Sequence, residues 1–164
     1  MPVTDAALVK RDYDTNDATV IQEIKGLSVL AVDDNEVNRT VVQALLEPLG
    51  IHVEQAESAE QALVMIDAAK SLYDLVFMDL RMPGISGIEA TRMFREKYDK
   101  QQLPIIALTG DLLSSVIQEC EAAGMNDFLG KPVIINDLVN SILRARHLSA
   151  ELRKALIYLK NLGS

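Results

Sequence analysis

Five short apolar runs, each followed by a polar turn and a segment of helical spacing, constrain the fold of this chain most. The runs lie at 27–32, 51–56, 74–78, 105–108 and 126–129, and the helical segments lie at 36–46, 58–69, 86–98, 111–123 and 134–146. Strands that alternate with helices through short connections are typical of a parallel sheet covered by helices on both faces. The third run is wholly apolar until it ends in Asp79, as expected of a strand buried on both sides.

This alternation predicts the topology as well as the layers. The compact arrangement of five such units has the strand order 2-1-3-4-5. We therefore predict an α/β fold of the flavodoxin-like, doubly wound (βα)5 class, with a five-stranded parallel sheet and an extra C-terminal helix.

The flanks differ in composition from the body and predict three parts. Residues 1–25 are polar and mixed in charge, which predicts an N-terminal tail or linker with a short ordered piece at 18–24. Residues 26–146 form the predicted domain. Residues 147–164 are predicted to be an amphipathic helical extension with Ser149 as its cap, because Leu148, Leu152 and Leu159 share one face. That face packs on its own domain, or it forms a homodimer or docks a partner.

Charge and hydropathy exclude several classes of protein. The net charge is −8, and residues 27–143 carry eighteen acids against eight bases, so a nucleic-acid surface is not expected. Residues 144–164 reverse that balance, with five bases and one acid. No apolar run reaches the length of about 20 residues that a membrane span needs, and we expect a cytoplasmic protein. Cys120 is the sole cysteine, which excludes an intrachain disulfide.

Polar residues follow the predicted strands at the points where the strands end. They are Asp33 and Asp34 after strand 1, Asp79 at the end of strand 3, Thr109 at the end of strand 4 and Lys131 after strand 5. Ligands of open α/β sheets bind at the carboxyl ends of the strands, where the strand order reverses. We therefore expect these five side chains to converge.

Three converging carboxylates repel one another, and a hard cation such as Mg²⁺ relieves that repulsion. Asp79 can then act as a nucleophile towards a phosphoryl group, with Lys131, Thr109 and the metal around the developing charge. The chain has no glycine-rich phosphate loop, so no nucleotide site is expected. Taken singly, Asp79 can instead be a loop cap, and the Asp33-Asp34 pair can be a helix N-cap.

The same residues resemble the signature of a known family. Asp33-Asp34, the lone Asp79 followed by Met82-Pro83-Gly84, Thr109 and Lys131-Pro132 resemble the response-regulator receiver domain over residues 26–146. The stretches 33–39 and 128–133 resemble the receivers of hybrid sensor histidine kinases. Too little chain follows the fifth helix for a DNA-binding output domain, so we expect either a stand-alone receiver or a piece of a hybrid kinase.

This resemblance implies a role for each residue. Asp79 would accept a phosphoryl group from phosphohistidine, Asp34 would bind Mg²⁺ directly, and Asp33 would bind it partly through water. The backbone carbonyl of Arg81 would add a metal ligand, Lys131 would pair with the phosphoryl group, Thr109 and Phe128 would be the switch residues, and the Lys131-Pro132 bond would be cis. The partner would be a histidine kinase or a histidine phosphotransfer protein that docks near residues 35–39. The protein would assist its own phosphorylation and dephosphorylation without being a separate enzyme.

The sequence also departs from the family pattern and leaves a second function open. Gly110 stands where alanine is usual, which opens the site. Arg81 and Asp111 occupy the variable positions beside the phosphoryl site, and we hypothesise that they pair across its mouth and prolong the phosphorylated state. The alternative function is an interaction module or dimerisation domain that does not need phosphorylation.

Overall fold

The computed structural model describes residues 17–162, with a central sheet and six α-helices. The strands are β1 (Ser28–Val32), β2 (His52–Ala56), β3 (Leu75–Asp79), β4 (Ile105–Thr109) and β5 (Asp127–Gly130). The helices are α1 (Ala18–Ile24), α2 (Glu36–Leu46), α3 (Ala59–Ala68), α4 (Gly87–Arg95), α5 (Ser114–Ala123) and α6 (Ile135–Leu162). A 3₁₀ turn at Glu47–Leu49 contains Pro48 and follows α2 directly, where the sequence predicts that the helix ends.

The sheet confirms the predicted topology. All strand pairs are parallel and the order is β2-β1-β3-β4-β5. β3 and β4 are buried along their whole length, as their apolar sequences require. The α/β, flavodoxin-like fold is therefore confirmed.

Two hydrophobic clusters lie on the two faces of the sheet. One is formed with α1, α2 and α6 and contains Phe77, Leu46 and Ile142. The other is formed with α3, α4 and α5 and contains Met78, Ile66 and Phe94. Side chains of one strand alternate between the two clusters, so β3 contributes to both and holds the layers together.

Local capping explains where most helices start and stop. Asn35 caps α2 by accepting from the backbone N–H of Val37. Ser58, which the sequence predicts as the N-cap of the segment 58–69, caps α3 by accepting from the backbone N–H of Gln61. The sequence also predicts that Gly124 stops the segment 111–123, and Gly124 does end α5, in the left-handed region with φ of +102°. The predicted start of α5 at Asp111 or a neighbour is too early, since the helix begins three residues later at Ser114.

One expectation about a helix face is wrong, and a second helix turns its regularly spaced apolar residues outward. For α4 the sequence predicts Ile88, Thr91, Met93 and Phe94 as the buried positions. Thr91 and Phe94 are buried, but Met93 is exposed and Ala90 is buried instead. In α2, Val37 and Val41 mark the helical spacing correctly, but they face solvent. The buried face of α2 carries Val42 and Leu46.

The flanking segments are helical within the described residues. α1 is capped by Asp17, and Ile24 at its end is fully buried in the cluster of α2 and α6. α6 runs unbroken to Leu162, about 42 Å in all. Ser149 therefore lies inside a helix and does not cap a new one, which corrects the prediction; no glycine or proline occurs between 135 and 162 to interrupt the helix. The domain boundaries after 25 and 146 remain predictions. No helix within residues 17–162 is long and apolar enough to cross a membrane.

Arg95 joins three segments at the edge of the sheet where the strands begin. Its guanidinium donates to the carbonyls of Tyr98, Asp99 and Leu103 after α4 and to that of Gly124 after α5, at 2.8–3.2 Å. It also donates to Asn126 Oδ1 at 3.0 Å. Burial lowers the pKa of Arg95 to about 10, so it stays charged at neutral pH.

Candidate functional site at the carboxyl edge of the sheet

The ends of β1 and β3 bring three carboxylates together at the carboxyl edge of the sheet. One carboxylate oxygen from each of Asp33, Asp34 and Asp79 lies within 4.8 Å of the others. Asp33 is 3% exposed and Asp79 is 5% exposed, whereas Asp34 faces solvent. The group is therefore a pair of buried carboxylates with one exposed carboxylate at its open side.

Lys131 supplies the positive charge that the two buried carboxylates face. Its Nζ donates to Asp33 Oδ2 at 2.9 Å and to Asp79 Oδ1 at 3.0 Å. The backbone N–H of Lys131 donates to the carbonyl of Thr109, which fixes the lysine beside β4. The Lys131-Pro132 bond is cis.

The carboxylates and the lysine shift one another's ionisation. Burial raises the pKa of Asp79, and the charge of Asp33 adds to this rise, although the hydrogen bond from Lys131 opposes it. For Lys131, burial lowers the pKa, but the hydrogen bonds and charges of Asp33 and Asp79 outweigh burial and the pKa is raised. The lysine is therefore charged at neutral pH, while the ionised form of Asp79 is less favourable in the folded protein than in water.

We predict that Asp79→Asn stabilises the metal-free protein by about 1 kcal/mol at neutral pH, a usual size for one substitution. The raised pKa means that Asp79 favours folding below its unfolded pKa, and that this contribution is lost as the pH rises through the folded pKa. The asparagine variant avoids that loss. Its advantage should vanish as the pH falls below about 3, under the pKa of an unfolded aspartate, where Asp79 is protonated in both states.

Urea unfolding of both proteins across this pH range measures the difference. Asp67→Asn is the matched control, because Asp67 is an exposed aspartate on α3. A variant that is less stable than the parent at neutral pH would contradict the prediction.

The turn after β1 holds Asp33 through both its side chain and its backbone. Asp33 Oδ1 accepts from the backbone N–H of Asn35 at 2.9 Å, and Arg39 Nη1 donates to the Asp33 carbonyl at 2.7 Å. Asn35, not Asp33 or Asp34, caps α2, so the N-cap interpretation of the aspartate pair is wrong. Asp79 does accept from the backbone N–H of Arg81, so it also caps the turn after β3.

Thr109 and Asp111 line the opposite side of the site. Thr109 is buried, and its Oγ1 accepts from the backbone N–H of Asp111 at 3.0 Å. Asp111 pairs with Arg81 at 3.1 Å from Oδ2 to Nη2, and the Arg81 side chain is 79% exposed. Next to Thr109, a Cβ on Gly110 would meet no atom within 4 Å, so the site is open there.

Two site residues were not predicted from the sequence. Gly87 starts α4 directly behind Asp79, and a Cβ there would lie 2.2 Å from the Asp79 carbonyl oxygen, so the close approach requires glycine. The sequence signal was a glycine directly after the serine cap of a helix. Arg39 was predicted only as part of a docking segment. Phe128, the predicted switch residue, is half-buried and packs on the cluster of α3, α4 and α5.

The comparison with known families decides what this arrangement belongs to. The sequence model of the response regulator receiver domain matches residues 29–143, well over half of the chain. The chain belongs to this family. The edge of the sheet that carries the three carboxylates is therefore the carboxyl edge of a receiver-domain sheet.

Individual relatives agree with this assignment of the receiver. The chain is 38% identical to the signal transduction histidine-protein kinase BarA of Escherichia coli K12 over 119 residues, which is 72% of this chain but 13% of that protein. The receiver domain of the sensor histidine kinase PA1611 of Pseudomonas aeruginosa is 37% identical, with a TM-score of 0.66, covering 74% of this chain and 98% of that one. The receiver domain of the histidine kinase CKI1 of Arabidopsis thaliana is 33% identical, with a TM-score of 0.67, covering 79% of this chain and 95% of that one. The resemblance to receivers of sensor histidine kinases is thereby confirmed, and the chain spans only a small part of such full-length kinases.

Proposed function

We propose that this receiver is a cytoplasmic phosphoacceptor of a two-component phosphorelay, which takes a phosphoryl group from phosphohistidine onto Asp79. The observation that carries the proposal is the convergence of Asp33, Asp34 and Asp79 around Lys131 Nζ. A cap or an ion pair needs one carboxylate. Three carboxylates beside a partly buried lysine fit the binding of a cation and an anion at one place.

The carboxylates fit a Mg²⁺ ion. Hard oxygen ligands within 4.8 Å of one another, one of them open to water, suit a cation that keeps part of its hydration shell. Asp33, Asp34, Asp79 and the backbone carbonyl of Arg81 would hold it, and when bound it would neutralise charge on the phosphoryl oxygens. The PA1611 receiver was crystallised with magnesium in its active-site cleft, and the CKI1 receiver with Mg²⁺ and BeF₃⁻.

The transfer itself is a displacement at phosphorus. A carboxylate oxygen of Asp79 forms the new P–O bond while the P–N bond of phosphohistidine breaks, and its electron pair returns to the imidazole nitrogen. Lys131 Nζ already lies 3.0 Å from Asp79 Oδ1 and can follow the phosphoryl oxygens. The Thr109 hydroxyl lies at the same edge, and its movement with Phe128 would report the phosphorylated state.

The donor would be a histidine kinase or a histidine phosphotransfer protein docked on α2. Val37 is 68% exposed on that helix, and Val41 is exposed one turn later. An apolar groove lined by Val41, Pro132 and Val133 lies between α2 and the turn after β5. A helix of the donor with an apolar face fits this surface beside Asp79. The acidic body gives no support to a nucleic-acid partner, and the homodimer through the end of α6 remains an alternative use of that helix.

Incubation with acetyl phosphate and Mg²⁺, followed by intact mass measurement, tests the proposal. We expect a gain of one phosphoryl group that chelation of Mg²⁺ abolishes and that Asp79→Asn does not show. Asp67→Asn should gain the group as the parent does. No gain in the parent, or a gain that survives Asp79→Asn, would favour the phosphorylation-independent interaction module.

We also predict that Arg81→Ala shortens the lifetime of the phosphorylated state by up to about fivefold. An exposed ion pair is worth about 0.2–1 kcal/mol, and 1.36 kcal/mol corresponds to a factor of ten in rate. Arg81 follows β3 and Asp111 follows β4 at the edge that carries Asp79 and Thr109, so the loss of their ion pair should admit water to the site more often.

Loss of phosphate from purified phosphoprotein measures this lifetime. Asp111→Asn should act in the same direction, and the double variant should add little because both changes remove one interaction. Arg92→Ala, on the exposed face of α4, is the control. An unchanged lifetime in Arg81→Ala would contradict the rate-modulating role.

A further inference from the structure

A chain of side-chain hydrogen bonds connects the edge strand of the sheet to the aspartate pair. Gln43 on α2 donates to the carbonyl of Val53 on β2, and Gln55 on β2 donates to Gln43 Oε1. Arg39 Nε then donates to Gln55 Oε1 at 3.1 Å, and Arg39 Nη1 donates to the Asp33 carbonyl at 2.7 Å. The network thus ends on the backbone of a predicted metal ligand.

The carbonyl that Arg39 binds belongs to the peptide between Asp33 and Asp34. The orientation of that peptide plane determines how the two side chains leave the backbone. The backbone N–H of Asp33 donates to the carbonyl of Ala56, and its carboxylate accepts from the backbone N–H of Asn35 and from Lys131 Nζ. Asp34, in contrast, is exposed. Arg39 is therefore the contact from outside the turn that fixes the peptide leading to Asp34.

We propose that Arg39 is a positioning residue that holds the Asp33-Asp34 peptide in the orientation that binds a divalent cation. The hydrogen bond to Gln55 on the edge strand keeps the Arg39 guanidinium in place. The inference rests on the proposed function, since it concerns the same carboxylates. Arg39 does not touch the cation, because its guanidinium is occupied by the Asp33 carbonyl and Gln55. Its guanidinium donates from two nitrogens held in one plane to two different acceptors, and lysine has no such fixed pair of donors.

A positioning role and a purely electrostatic role predict opposite changes in the affinity for Mg²⁺ when Arg39 is replaced. As a positive charge near an acidic cluster, Arg39 opposes cation binding, so its removal alone would tighten binding. As a positioning residue, its removal should weaken binding by about tenfold or more, the usual effect of losing an outer-shell partner. The direction of the change therefore decides between the two roles.

Mg²⁺ titration of the metal-free full chain by calorimetry, with no phosphodonor or partner present, measures the effect. We expect Arg39→Gln to raise the Kd for Mg²⁺ by about tenfold or more. Arg39→Lys should also bind Mg²⁺ more weakly than the parent, because lysine keeps the charge but cannot donate to both Gln55 and the Asp33 carbonyl in the same geometry. Arg92→Gln on α4 makes the same charge change away from the site and should leave the Kd unchanged. An unchanged or tighter Kd in Arg39→Gln, or a parental Kd in Arg39→Lys, would overturn the proposal.

A second readout uses no metal and separates this inference from the proposed function. The backbone N–H of Asn35 donates to Asp33 Oδ1 at 2.9 Å in the parent. Hydrogen exchange at Asn35 in metal-free Arg39→Gln should be faster than in the parent, at equal global stability measured by urea unfolding. Parental exchange there would overturn the positioning role even if Mg²⁺ binds. Failure of the parent to bind Mg²⁺ would instead overturn the magnesium site and leave the exchange result to decide on Arg39.

Discussion

Lys131→Met is expected to destabilise the metal-free protein by about 1–3 kcal/mol at neutral pH. Removing one partner of a fully buried ion pair costs about 3–5 kcal/mol, and the partial exposure of the lysine side chain reduces that figure. Methionine keeps the apolar length of the side chain but leaves the carboxylates of Asp33 and Asp79 without their shared counter-charge. Added Mg²⁺ should restore most of the stability, since ligand binding at a hundred times its Kd contributes about 2.7 kcal/mol.

The same variant should be a poor phosphoacceptor. Loss of one donor to a developing negative charge typically costs about 10²–10³ in rate, so we expect phosphorylation by acetyl phosphate to slow by about a hundredfold. Urea unfolding with and without Mg²⁺ measures the first effect, and the time course of the mass gain measures the second. Lys131→Arg is the control that keeps the charge. A Lys131→Met protein with parental stability in the absence of Mg²⁺ would show that the lysine does not offset the carboxylates.

Ile24→Ala is expected to lower the free energy of unfolding by about 2–5 kcal/mol. That is the usual range for an isoleucine truncated in a well-packed core, and Ile24 is 0% exposed. Its side chain belongs to the cluster formed with α2 and α6, although it lies before the first strand of the sheet. A tail that merely precedes the domain would contribute nothing of this size.

Urea or thermal unfolding measures the loss. Glu23→Ala is the control, because Glu23 lies on the same short helix and faces solvent. It should change stability by less than about 0.5 kcal/mol. A similarly small effect of Ile24→Ala would mean that α1 is dispensable and that the domain begins near residue 26, as the sequence predicts.

The sequence predicted the sheet and its polar edge because both depend on local patterns. Apolar runs that end in Asp33, Asp79 and Thr109 fix strand positions, and parallel strands place their ends together without further information. Ser58 and Gly124 were equally predictable, because a cap acts on residues one turn away. For these features the local preference and the final structure agree.

The features that the sequence missed depend on partners far along the chain. The pair of Arg81 with Asp111, thirty residues apart, was predicted, but the start of α5 at Ser114 instead of near Asp111 was not. The spacing of Val37 and Val41 predicts a helix, yet spacing alone does not say which apolar face the sheet will cover. The local sequence predicts only that Arg39 is a charged side chain on a helix. Its contact with Gln55 becomes visible only when the structure places β2 beside α2.

The contacts of Arg95 have a consequence for how the protein opens locally. One partly buried guanidinium donates to carbonyls of the segment 98–103, to the carbonyl at the end of α5 and to the side chain of Asn126. When one of these segments unfolds, the guanidinium loses its acceptors there, and a charged donor without a partner costs free energy until water reaches it. Water that reaches the guanidinium also reaches its contacts with the other segments. The three connections at that edge should therefore unfold and refold as a single cooperative unit. Motions at the carboxyl edge of the sheet can then occur while the opposite edge stays closed.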